Sequence, residues 1–203
     1  YIAFSSGLSG TCQSAHLAKK ELEQKFPGRR VEVFDSLCAS MGEGLLVYHA
    51  AMRKKAGASL DEVLAWLKEN VLHLCHWFTV DDLNHLKRGG RVSTATALVG
   101  TMLGIKPVLH VDDEGHLIPV SKVRGRKQSL DALVKKMEET AIDPQDQVVF
   151  LSHGDCLEDA KYVAKQVKEK LGVKEVKINF IGPVIGAHSG PGTVALFFLG
   201  NPR

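Results

Sequence analysis

The chain has 203 residues, 44% hydrophobic and 24% charged, the balance of a globular protein long enough to bury a substantial core as one large domain or two small ones. A formal net charge of +3, with the lysines spread along the chain, gives no ground for a nucleic-acid partner, and no apolar run approaches the ~18 residues of a membrane span. The cysteines, Cys12, Cys38, Cys75 and Cys156, form no Cys-x-x-Cys pair; their scatter favours reduced thiols and a cytoplasmic setting, and no signal peptide is visible.

Tyr1-Ile2-Ala3-Phe4 is a short apolar run of strand type. The chain opens inside it without a Met, so upstream sequence is expected, and a sheet lacking its first strands would carry an exposed edge. Ser5-Ser6-Gly7-Leu8-Ser9-Gly10-Thr11 then forms a turn of hydroxyls and glycines, and Ala15, Ala18, Leu22 and Phe26 recur at helical spacing up to the stop at Pro27-Gly28. Gly7 and Gly10 permit a sharp turn and a close approach, Ser9 or Thr11 can cap the helix, and the unpaired N–H groups of its first turn suit a carboxylate or phosphate. The plain alternative is a capped helix start. Neither a Walker A loop nor Gly-x-Gly-x-x-Gly is present.

The device repeats. Val31 to Phe34 reads as a strand, Asp35 to Gly42 as a polar turn, and Gly44 to Lys55 as a helix; Ser59 opens the next helix with a capping box closed by Glu62. Two successive strand–turn–helix units predict a parallel sheet packed with helices. Beyond about Val71 the pattern changes to a mixed α/β region. His76 to Val80 reads as a strand, Asp81 as the cap of a short helix through Leu86, and Ser93 to Leu103 as a helix. Ile105 to Val111 and Leu117 to Val123 form a hairpin in which Pro107 argues for an edge or an irregular start. A helix follows Arg126. Next come the strand Val148 to Leu151, the helix Leu157 to Leu171 with Gly172 as its stop, the strand Val176 to Phe180, a Gly/Pro-rich loop from Ile181 to Thr193, and a final strand to Leu199. The expected fold is therefore α/β with two lobes: residues 1–70 as a parallel-sheet lobe, incomplete at its start, and residues 71–203 as a mixed-sheet lobe with helices.

Several side chains invite a chemical role. His188, in the Gly/Pro-rich loop, either points into a ligand site or is an ordinary exposed histidine. Arg91, Arg124 and Arg126 each offer a fork for an anion, with a solvated surface arginine as the alternative. His153 and Cys156 lack a third orienting group for nucleophilic catalysis. His73, Cys75 and His76 lack zinc spacing.

Four segments, taken in order, resemble the DegV family over nearly the whole chain. They are Ser5-Ser6-Gly7-Leu8-Ser9-Gly10-Thr11, Ser40-Met41-Gly42, Leu86-Lys87-Arg88-Gly89-Gly90-Arg91-Val92-Ser93 and His188-Ser189-Gly190-Pro191-Gly192-Thr193. The resemblance implies a two-lobed α/β carrier that binds a long-chain fatty acid and presents it to a separate fatty acid kinase for acyl phosphate formation, without a cofactor and without catalysis of its own. It implies that Thr11 and Ser40 hold the carboxylate with Ser9 beside them, and that Arg91, Arg124, Arg126 and His188 lie near the mouth. Two departures stand out: the family's opening strand and its Asp-Ser-Thr-rich turn ending in Asp-Leu-Pro are not found, and Cys12 stands where a Tyr is usual. The rival reading is a hydrolase or phosphotransferase that uses His188 with Arg91 on an acyl or phosphorylated small molecule.

Overall fold

A computed structural model describes residues 1–93 and 104–203; the helix expected from Ser93 to Leu103 falls almost wholly on residues outside these. The first sheet has two parallel strands, β1 (Ile2–Ala3) and β2 (Phe34–Asp35), joined by α1 (Thr11–Lys25) and followed by α2 (Met41–Lys55) and α3 (Leu60–Asn70). The expected strand at Val31 is shorter and starts later, and α2 begins three residues before Gly44, immediately after Ser40. The capping box on α3 forms as expected, with Ser59 and Glu62 satisfying each other's backbone N–H groups. Neither Ser9 nor Thr11 caps α1, whose cap position is Gly10.

The second sheet has six strands in the order β5-β4-β3-β8-β6-β7. These are β3 (Leu74–Thr79), β4 (Ile105–Val111), β5 (Leu117–Arg124), β6 (Val148–His153), β7 (Glu175–Phe180) and β8 (Val194–Leu199). All neighbours are antiparallel except β6 and β7. The final strand is thus central, between β3 and β6. Pro107 lies in an interior strand, not at an edge. Its missing N–H is tolerated because the β3–β4 ladder begins only at Val108. A short α4 (Leu83–Arg88) is capped by Asp82 rather than Asp81. α5 (Arg126–Thr140) and α6 (Leu157–Leu171) complete the helices of this half, with Gly172 left-handed at φ 69° where it ends α6. The segment read as a loop before β8 contains a further helix, α7 (Pro183–Ser189), so His188 sits on a helix. Pro183 at its first turn costs no hydrogen bond there, which is why a Gly/Pro-rich stretch can be helical.

Side chains alternate across the six strands and make two apolar layers. On one face Leu133 and Met137 of α5 and Val163 and Val167 of α6 pack with Leu151, Leu196 and Phe198. On the other face Leu45 and Leu46 of α2 and Leu67 of α3 share a core with Phe78, Phe150 and Phe197. Residues on either side of Val71 therefore meet in one apolar layer. No helix among the described residues is long and apolar enough to cross a membrane.

His76 is buried in this second layer. Its Nε2 lies 3.1 Å from the Cys38 Sγ, and its ring meets Phe197 edge-on. Burial first, then the charge of Arg203 and His110, holds its pKa well below the ordinary 6.5. A folded-state pKa below the unfolded one contributes stability above about 6.5, and that stability is lost as the pH falls below it, because the unfolded chain takes up a proton the folded chain refuses. Urea midpoints measured from about pH 7 down to about pH 5 are expected to decline, and His76→Gln to flatten that decline.

Candidate functional site

A cavity of about 440 Å³ lies between the turns that follow β1 and β2 and the six-stranded sheet. That is within the usual range for small-molecule sites. Its walls are mainly apolar: Leu8, Phe78, Leu117, Val184, Ile185 and Phe197 contribute. Its polar lining is small and includes Ser9, Thr11, Ser40, Arg91, Ser152 and His188.

The sequence explains why the hydroxyls reach it. Parallel strands β1 and β2 end side by side, so the turns leaving them emerge together at their carboxyl ends, where open α/β sheets bind ligands. The first turn is compact. Ser5 Oγ donates to the Gly115 carbonyl at 2.9 Å and accepts from the Gly7 N–H at 3.2 Å, which binds the turn to the tip of the β4–β5 hairpin. Gly7 has no room for a side chain there, since a Cβ would fall 2.7 Å from the Glu114 carbonyl oxygen. Ser9 Oγ accepts from the Thr11 N–H at 3.2 Å and pairs with Thr11 Oγ1 at 2.8 Å. In the second turn Ser40 has φ 55° and ψ −137°, a strained conformation for a residue with a side chain, and its hydroxyl makes no capping bond to α2. That hydroxyl instead donates to Ser152 Oγ at 3.0 Å.

Two further segments close the site. Gly89 ends α4 and leaves no space above it, so that any side chain there would collide with the imidazole of His188. Arg91 then turns back: its Nε donates to the Leu8 carbonyl at 3.1 Å and its Nη1 to the Gly89 carbonyl at 2.6 Å. The end of α7 is fixed by Thr193, whose Oγ1 donates to the Ser189 and Gly190 carbonyls at 3.1 and 2.9 Å. The opening turn, Ser40, Arg91 and His188 thus meet at one cavity although the sequence spreads them over most of its length.

Arg124 and Arg126 are not brought to this wall. Arg124 is exposed at the end of β5. Arg126 is half-buried in an ion-pair cluster, with Nη2 2.8 Å from Asp159 and Nη1 3.6 Å from Asp81. The sequence offered no means of separating it from a ligand-binding arginine, because its partners come from distant helices and turns. Ser152 was not singled out and His76 was weighed only as a zinc ligand: a serine or histidine inside an apolar strand carries no local signal of which cavity it faces.

His153 and Cys156 are not arranged as a base and nucleophile pair. The Cys156 N–H donates to His153 Nδ1 at 3.3 Å, so this ring nitrogen faces backbone, and the Cys156 thiol donates to the Thr193 carbonyl at 3.3 Å. Burial raises the Cys156 pKa despite the nearby Arg126. Burial likewise pushes Cys38 up to about 12 and Cys75 up to about 11. No group of three or more His, Cys, Asp or Glu side chains among the described residues could hold a metal.

Comparison with known proteins identifies the family. The model of the DegV family, described as uncharacterised proteins, matches residues 1–201. The chain belongs to the DegV family. It is 48% identical over its full length to a DegV domain-containing protein of Clostridium perfringens, 70% of which it covers. A structure described as the fatty acid binding of a DegV family protein from Thermus thermophilus is 35% identical, with a TM-score of 0.82 over 96% of this chain and 68% of that one. The Streptococcus pneumoniae fatty acid kinase B3 protein loaded with linoleic acid shares the fold at a TM-score of 0.89 and 21% identity, over 98% of this chain and 70% of that one.

Arg126→Ala is expected to lower stability by about 1–2 kcal/mol, between the values for exposed and buried ion pairs, while leaving ligand affinity within about twofold; urea unfolding and ligand titration check the two halves separately. At about pH 8 a thiol-specific disulfide reagent should label Cys38, Cys75 and Cys156 far more slowly than a free thiol until the chain is unfolded.

Proposed function

We propose that this chain is a fatty-acid carrier, not an enzyme. The hydroxyls of Thr11 and Ser40, with Ser9 beside Thr11, hold the carboxylate of a long-chain fatty acid. Residues 1–70 supply these turns, and residues 71–203 supply most of the wall against the acyl chain. The observation that carries the reading is the composition of the cavity: apolar walls with hydroxyls delivered from the starts of two helices. A carboxylate leaving water must regain its hydrogen bonds, and serine and threonine hydroxyls at helix starts supply them without a compensating cation. The acyl chain contributes more of the affinity than the carboxylate does. At about 0.8 kcal/mol per buried CH₂, some fifteen carbons offer on the order of 10 kcal/mol before ordering costs. The Thermus thermophilus relative, described as fatty-acid binding, supports the same ligand class here.

The carrier presents its carboxylate to a fatty acid kinase. A carboxylate oxygen attacks the terminal phosphoryl group of ATP, ADP leaves, and an acyl phosphate forms. We assign Arg91 and His188, which line the cavity, to its mouth, where a guanidinium and an imidazole favour an incoming phosphoryl group. We assign this exchange to the cytoplasm, where ATP and reduced thiols occur together.

Organic extraction of the purified protein followed by mass spectrometry is expected to give near-stoichiometric fatty acid, and the Thr11→Ala, Ser40→Ala double variant to lose most of it. An extract without lipid, together with turnover of an acyl or phosphorylated substrate that His188→Ala abolishes in the absence of a kinase, would favour the hydrolase or phosphotransferase reading instead.

A further inference from the structure

We propose that Ser152 is a positioning residue for the hydroxyl of Ser40, the two side chains forming a relay that feeds the ligand's carboxylate. The inference rests on the carrier reading above and concerns how one of its two hydroxyl contacts is made strong.

Ser152 is fully buried near the end of β6, where its backbone stands opposite Ala195 of β8 and Asn179 of β7. The strand before it, Val148 to Leu151, is wholly apolar. Alternation places Ser152 on the face of Phe150, toward α2 and the cavity that it lines. A hydroxyl in such a place is costly unless it is bonded. Its partner is Ser40 Oγ, 112 positions away in sequence and 3.0 Å away in space.

Ser40 for its part has a backbone that a serine enters only under strain, and its hydroxyl makes no capping bond to its own helix. Its hydroxyl direction is therefore set from across the cavity. With a carboxylate present, Ser40 turns its O–H to the anion and Ser152 turns its own O–H to the Ser40 oxygen. Each proton stays on its own oxygen; only the two O–H bonds rotate. Ser40 then donates and accepts at once, and the chain Ser152–Ser40–carboxylate polarises along its length, which strengthens the charge-assisted bond at its end. The other carboxylate-binding hydroxyl has the same backing, since Thr11 Oγ1 lies 2.8 Å from Ser9 Oγ. Each is a primary contact supported by a second serine. Ser9 comes from the same turn as Thr11, whereas Ser152 comes from the opposite sheet.

The test is a double-mutant cycle with two competitors. Affinities for palmitate, which carries the carboxylate, and for hexadecan-1-ol, which does not, are measured by displacement of a fluorescent fatty acid from the full chain and its Ser152→Ala, Ser40→Ala and doubly substituted forms. Ser152→Ala is expected to weaken palmitate about threefold to tenfold, to change hexadecan-1-ol by less than about twofold, and to add little in the Ser40→Ala background. Ser152→Cys, which keeps the shape but donates weakly, should act in the same direction and carries the test if the alanine form does not fold. Equal losses for acid and alcohol would mark a purely structural serine and overturn the proposal. So would no loss of palmitate affinity, or a full further loss on top of Ser40→Ala. A Ser40→Ala form that binds palmitate normally would remove the carboxylate assignment itself, and the relay with it. Loss in Ser40→Ala without loss in Ser152→Ala would remove the relay alone.

Discussion

Everything in the site depends on one layer of packing, that of Leu45 and Leu46 on α2 against Phe78, Phe150 and Phe197 of the six-stranded sheet. It fixes the distance between the start of α2 and the sheet, and so the width of the space left beside Ser40. Shortening one of these fully buried leucines removes methylenes from a close-packed interior, at a typical cost of about 2–5 kcal/mol. It would also let the Ser40 turn move relative to Ser152. Besides lining the cavity with Phe78 and Phe197, the layer sets the polar contacts. It brings a polar turn from one half of the chain within hydrogen-bond reach of a strand from the other.

The polar contacts then refine that placement. Ser5 ties the first turn to the hairpin tip at Gly115, Arg91 ties Leu8 to the end of α4, and Ser40 meets Ser152. Arg203 adds a fourth tie, its Nη1 donating to the Leu37 carbonyl at 3.1 Å just before the Ser40 turn. Each bond is modest by itself. Together they hold two turns of short polar residues, which have few apolar contacts of their own, against the rim of a rigid sheet. A site made of hydroxyls needs such fixing, because a serine rotor has no intrinsic preference that would aim it at a ligand.

Much of the fold is legible in the sequence. The Ser59–Glu62 capping box, the stop at Gly172, the hairpin around Asp112 to Gly115 and the parallel pairing of two strand–turn–helix units all follow from local chemistry, and each formed. The errors also have local causes. The stretch from Ile181 to Thr193 is rich in glycine and proline, which argues for a loop, yet Pro183 falls where a helix tolerates it and α7 forms. Pro107 argued for an edge or an irregular start; the strand is interior, and the start is the irregular part, since its ladder with β3 begins one residue later. Ser9 or Thr11 was read as able to cap α1; the two side chains instead bond to each other and leave Gly10 at the cap.

For the site the division is sharper. The sequence by itself determined the chemistry available: two hydroxyl-bearing turns at helix starts, a Gly-Gly-Arg segment, a histidine before Ser-Gly-Pro-Gly-Thr, and the family those segments resemble. It determined these because turn and cap residues act over three or four positions, a range that a linear reading covers. Only the tertiary structure decided which arginine faces the cavity. Arg91 reaches back to Leu8, whereas Arg126 is held by Asp159 and Asp81. It also decided that Ser152, inside an apolar strand, meets Ser40 across more than a hundred residues of chain. Partners set by sheet order and helix packing leave no trace in the spacing of neighbours, because the packing that joins them is a property of the whole folded core.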